Sequence, residues 1–133
     1  MTEKNRAVQN AERGFAGTGE NGAALDKAAA RYEVKQRVTL AEVPGLRVRL
    51  LTLLKGQIVP WHLHNHITDT FFCMRGPMRV LTRSPDASHR LLAGDTLAVS
   101  AGTAHRVECG DANECRFMII QGVGEYDYVP VKD

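Results

Sequence analysis

The chain has 133 residues, 44% of them hydrophobic and 24% charged, and a net charge of +2 at pH 7. That length predicts one domain, large enough for a small β-fold to bury a core without staples. The charge argues against a nucleic acid or a membrane surface as partner, and no apolar run approaches the roughly 20 residues a spanning helix needs.

Residues 1–33 read as an N-terminal arm. Met1 to Gly22 is rich in Glu, Asn, Gly, Arg and Ala, with Phe15 its only aromatic, so poor order is expected there. Asn21 to Arg31 has good helix propensity, with Asn21 as a possible cap. The arm is either a tail or a segment laid across a partner subunit.

From Val34 onward the signal is β, and residues 34–133 form the expected domain. Gln36–Ala41 reads as a strand, closed by a turn at Pro44-Gly45. Leu46–Leu54 is a long β-prone run in which Arg47 and Arg49 share one face, with Leu46, Val48 and Leu50 on the other. A histidine-bearing strand follows from Gln57. Asp69–Arg75 and Met78–Arg83 form a hairpin through Gly76-Pro77, and Ser84 to Ser88 is a loop. His89–Leu92, Thr96–Val99, Ala104–Cys109 and Glu114–Gln121 complete the strands. The tail Tyr126–Pro130 adds an edge segment or covers the barrel. This many short strands with regular turn signals predicts an all-β sandwich or barrel.

The chemistry concentrates in Gly56–Gly76, where three of the five histidines fall within five positions. On a strand, alternate side chains share a face, so His62, His64 and His66 point one way and Trp61, Leu63 and Asn65 the other. Neutral imidazole is the commonest ligand for divalent transition metals. Asp69 adds a carboxylate after a turn at Asn65–Thr68, and His105 can close the site from a distant strand.

The spacing is Gly56, five residues, His62-Leu63-His64, four residues, Asp69, six residues, Gly76. It resembles the first motif of the cupin family, which has Glu in the position of Asp69. Further on come Gly94, five residues, Ser100-Ala101-Gly102, two residues, His105, three residues and Cys109. This resembles the second cupin motif, with Ser100 in place of Pro and Cys109 in place of Asn. The resemblance runs from about Val34 to Pro130 and implies a jelly-roll, double-stranded β-barrel. Carried over by position, it implies that His62, His64, Asp69 and His105 hold one divalent transition metal: Fe, Mn, Ni or Zn. The family uses no ligand at the position of His66, which leaves that residue as a proton carrier behind the ligands or a surface group. Aspartate is one methylene shorter than glutamate, so Asp69 either ligates directly or orients a histidine or a bound water.

Small barrels either fill with side chains or hold one ligand. Phe71 and Cys73 should share the inward face of Asp69, and Val107 and Cys109 that of His105. Phe117, Ile119 and Gln121 make one face of the last strand, whose direction the pattern leaves open. The site suits a metal-dependent enzyme on a small organic molecule, with a dioxygenase-type oxidoreductase favoured. A non-catalytic binding or sensing module is the alternative, and a metal-dependent isomerase or lyase a further one. A homodimer is expected, from the resemblance and because Leu51, Leu53, Phe72 and Met74 fall opposite the expected core face. Three cysteines, odd in number and without a CxxC pair, argue against a disulfide framework and for a reducing compartment. The polar N-terminus lacks a signal-peptide apolar stretch, so a cytoplasmic location is expected.

Overall fold

A computed structural model describes residues 32–133, so the arm up to Arg31, with the helix expected at Asn21–Arg31, lies outside the described residues. Within them the β-prone runs become ten strands, and no helix occurs among the described residues. They are β1 (Gln36–Val43), β2 (Leu46–Leu54), β3 (Ile58–Leu63), β4 (Thr68–Arg75) and β5 (Met78–Thr82). Then come β6 (Ala87–Leu91), β7 (Thr96–Val99), β8 (His105–Cys109), β9 (Glu114–Gly122) and β10 (Val129–Pro130). Two five-stranded antiparallel sheets result, in the orders β1-β2-β9-β4-β7 and β10-β3-β8-β5-β6. Strands far apart in sequence become neighbours, as in a jelly roll.

Turn chemistry sets where strands stop. Gly56 has φ of 91°, a left-handed conformation that glycine adopts without steric cost, and it lets the chain reverse between β2 and β3. Pro60 cannot donate to a ladder, and β3 slips register against β8 between Val59 and His62, a bulge around the proline.

The registers arrange the interior in layers. In the first sheet, Gln121 of β9 lies opposite both Arg47 of β2 and Asp69 of β4, and Ile119 opposite Arg49 and Phe71. Next come Phe117 with Leu51 and Cys73, then Cys115 with Leu53. In the second sheet, His105 lies opposite His62 and Thr82, Val107 opposite Val59 and Val80, and Cys109 opposite Met78. One end of the barrel is therefore polar and the other apolar. The apolar end is the core: Leu53, Cys73, Met78, Val80, Val107, Cys115 and Phe117 are all fully buried. Each large apolar side chain there contributes about 1.5–3 kcal/mol by burial. All three cysteines are free and buried, and the Cys109 thiol donates to Cys115 Sγ at 3.0 Å.

One expectation is corrected. Leu51 and Leu53 point into the core, at 1% and 0% exposure, not away from it. Alternation then carries Arg47 and Arg49 inward too, and both are buried. From Leu50 onward leucines stand on both faces of β2, so its alternation does not mark which side is inside. The open question on β9 is resolved as well, since Phe117, Ile119 and Gln121 face in.

Candidate metal centre

The polar end brings His62, His64, Asp69 and His105 together, all buried, with one potential ligand atom from each within 4.8 Å of the others. His62 follows the β3 bulge, His64 stands just past the end of β3, Asp69 lies near the start of β4, and His105 opens β8. His66 lies in the turn between β3 and β4 and is exposed, apart from these four.

The hydrogen bonds fix which ring nitrogen faces the centre. Nδ1 of His62 bonds the Pro60 carbonyl at 2.8 Å, Nδ1 of His105 the Thr103 carbonyl at 2.8 Å, and Nδ1 of His64 the Asp127 carbonyl. A carbonyl only accepts, so each Nδ1 carries the hydrogen and each neutral ring turns its Nε2 lone pair inward. Asp69 Oδ2 stands 2.8 Å from Nε2 of His105, 3.0 Å from that of His64 and 3.9 Å from that of His62. Four acceptors thus converge, and a cation or a proton must lie among them. Ligand histidines that donate their other ring nitrogen to a backbone carbonyl are a recurrent feature of metal sites. Neighbouring ligands at right angles around an ion with bonds of about 2.1 Å stand about 3.0 Å apart. Asp69 meets that separation to two histidines. The donor set fits a divalent transition metal.

Electrostatics divide the histidines. Burial, aided by the nearby His105, pushes His62 down to about 3, so its ring stays neutral. Burial alone would lower His64 as well. Its hydrogen bond to Asp69, that carboxylate's charge and the Asp127 carbonyl outweigh it and hold His64 above its ordinary value. Burial alone would raise Asp69, but the close His105 and His64 rings hold it well below the usual carboxylate range. Without a metal, His64 is the ring whose protonation Asp69 favours.

Two further groups complete the environment. Gln121 Nε2 donates to Asp69 Oδ1 at 3.1 Å, which orients the carboxylate. The C-terminal tail covers the histidines. Tyr128 stacks on His62 with ring centres 4.6 Å apart, and Tyr126 lies 5.5 Å from His64. The Asp127 carboxylate accepts from Asn65 N–H at 2.9 Å and from Asn65 Nδ2 at 2.7 Å. Past it, β10 pairs with β3 beside His62. Gly124 makes this return possible, because a side chain there would strike the carbonyl of His66. The enclosed space has room for a single water-sized molecule. Tyr126 and Gln121 also border an open groove of about 380 Å³ outside it.

Arg49 lines the enclosed space beside the histidines, which the sequence reading did not anticipate. Its alternation with Leu51 and Leu53 was the available signal, once one of those leucines is known to face in.

The profile of the cupin domain family matches residues 49–121, and no curated protein matches the chain. Several solved structures share the fold. One is an uncharacterized conserved protein with a double-stranded β-helix domain from Klebsiella pneumoniae subsp. pneumoniae MGH 78578. It is 19% identical, with TM-score 0.65 over 74% of this chain and 84% of that one. An oxalate oxidase is 19% identical, with TM-score 0.59 over 65% of this chain and 46% of that one. A variant of oxalate decarboxylase from Bacillus subtilis is 19% identical, with TM-score 0.65 over 75% of this chain and 29% of that one. The chain thus spans under half the length of the two named enzymes.

Proposed function

The chain belongs to the cupin domain family, and on that footing we propose a metal-dependent enzyme that acts on a small organic molecule, as a dioxygenase-type oxidoreductase. The observation that carries this reading is the convergence of three Nε2 lone pairs on Asp69, each ring anchored through Nδ1 to a backbone carbonyl. His62, His64, Asp69 and His105 would hold the ion. Bound there, iron would supply oxygen activation, and manganese, nickel or zinc Lewis acidity. The chain's own groups do the rest. Gln121 aims the carboxylate, the backbone carbonyls keep every ring in the ligating tautomer, and Tyr126 and Tyr128 exclude bulk water.

The test is elemental analysis of protein purified without a histidine tag, followed by oxygen uptake against a panel of small organic acids, diketones, catechols and thiols. Iron with substrate-dependent uptake supports the proposal. Zinc or nickel with turnover but no uptake moves the reading to an isomerase or lyase. The water-sized room around the centre favours a second reading, a binding or sensing module with a structural metal. Tight binding of an unchanged ligand, with no turnover on any metal, would support that one.

A further inference from the structure

Two buried polar atoms at this site have no hydrogen-bond partner among the described residues: Nε of Arg49, a donor, and Oε1 of Gln121, an acceptor. Both side chains are 3% exposed and line the same cavity as His62, His64 and Asp69. Among the described residues Arg49 also forms no ion pair. The charged side chains that bear on it include Arg37 and Arg47, which repel it, and its other named neighbours are the phenols Tyr32 and Tyr126. Asp69 shares the cavity, but its Oδ1 already accepts from Gln121 and its Oδ2 is taken up by the contacts with Nε2 of His64 and His105. Burial accordingly pulls the Arg49 guanidinium below its ordinary value. A buried guanidinium is costly unless an anion meets it, and arginine is the residue best shaped to receive a carboxylate.

We propose that Arg49 and Gln121 recognise the substrate, and that it is a short-chain carboxylic acid bearing a hydroxyl. Its carboxylate accepts from Arg49 Nε and its hydroxyl donates to Gln121 Oε1. Each unpartnered atom gains the complement it lacks, and the acid is held against the ion's position. The closed cavity is too small for such a molecule, so it enters from the outer groove as Tyr126, which borders both spaces, moves aside. The inference rests on the proposed metal-dependent function for the reaction, but not for the recognition, because Arg49 and Gln121 face the cavity with or without an ion. The competing occupant is one water bridging the two atoms.

The experiment is calorimetry on the full chain with three probes: lactate, its neutral amide lactamide, and propionate, which lacks the hydroxyl. Metal content is measured in parallel. In manganese-loaded protein, lactate should bind about tenfold or more tightly than lactamide, and severalfold more tightly than propionate. Arg49→Gln should remove the preference for lactate over lactamide while retaining wild-type metal content. Equal binding of the acid and its amide by the wild-type protein overturns the proposal and leaves the water. Undiminished preference in Arg49→Gln overturns it too, since the ion alone would then be the anion receptor. Should that variant fail to fold, wild-type protein stripped of metal decides. A preference for lactate that survives stripping supports Arg49, and one that vanishes with the ion overturns it. A chain that never retains metal but keeps the preference sinks the metal-dependent function and leaves the Arg49 assignment standing.

Discussion

The backbone carbonyl of Asp127 accepts a hydrogen bond from Nδ1 of His64, 63 positions earlier in the chain. A residue of the C-terminal tail thereby fixes the tautomer of a candidate ligand, and the Asp127 side chain holds the tail in place through Asn65. Asp127→Ala breaks both Asn65 bonds and frees the carbonyl. Metal affinity should fall by about 10–100-fold, the range typical of groups that orient a ligand histidine. Competition with a chromogenic chelator measures it. Wild-type affinity in the variant would show that the tail is only a cover.

The metal-free protein should have a stability maximum near the ordinary histidine value. His62 is lowered from 6.5 to about 3, so between those values the unfolded chain binds a proton that the folded one refuses, and stability falls as pH drops. The depressed Asp69 acts in the same direction at lower pH. Its contribution is present above the ordinary carboxylate value and is lost as pH falls below it. His64 has the opposite sign. It is raised, so its contribution is complete below 6.5 and is lost as pH rises through its folded value. The three together predict a peak near 6.5, seen in urea titrations of chelator-treated protein from about pH 4.5 to about pH 8.5. A monotonic profile would mean that the centre does not hold its charges as described.

Much of this site was legible in the chain, for a physical reason. Strand alternation is local, so nine strands follow from residues close in sequence, while the resemblance to two spaced motifs is what joins the distant His105 to His62, His64 and Asp69. What stayed hidden depends on long-range pairing. Leu50, Leu51, Leu53 and Leu54 make both faces of β2 apolar, and only its ladder with β9 turns Arg49 and Leu51 inward. The tail contacts of Tyr126, Asp127 and Tyr128 likewise have no local signature. His66 has the alternation of its neighbours, but β3 ends at Leu63, and the turn that follows carries His66 out to solvent.

Asp69 Oδ2 lies at ligand separation from His64 and His105, which predicts direct ligation. Asp69→Ala and His105→Ala should then each lose most of their metal, by more than the about 10–100-fold that loss of an orienting group causes. Elemental analysis and turnover are measured on both. An Asp69→Ala protein that keeps its metal but loses turnover would place the carboxylate behind the ligands. Full metal in both variants would remove the site assignment.

The last prediction concerns the outer face of the first sheet. Phe72 of β4 pairs with Met118 of β9, and Thr70 with Ile120, which pairs in turn with Val48 of β2. These side chains alternate with the buried set and therefore point away from the core. Phe72 and Ile120 are 37% and 36% exposed, and Met74 further along β4 is 40% exposed. An apolar patch on a sheet face is a common interface, and two copies related by a two-fold axis present it to each other. The expected state is a homodimer through this face, built on Phe72 and Ile120 and not on Leu51 and Leu53, which the core already covers. Phe72→Glu with Ile120→Glu should convert a dimer to a monomer in light scattering at micromolar concentration. Leu53→Ala should instead cost about 2–5 kcal/mol of stability by opening a cavity, with no change in mass per particle at temperatures where it stays folded. A wild-type protein that scatters as a monomer would rule out the dimer, and a charged pair that leaves the dimer intact would move the interface to another face.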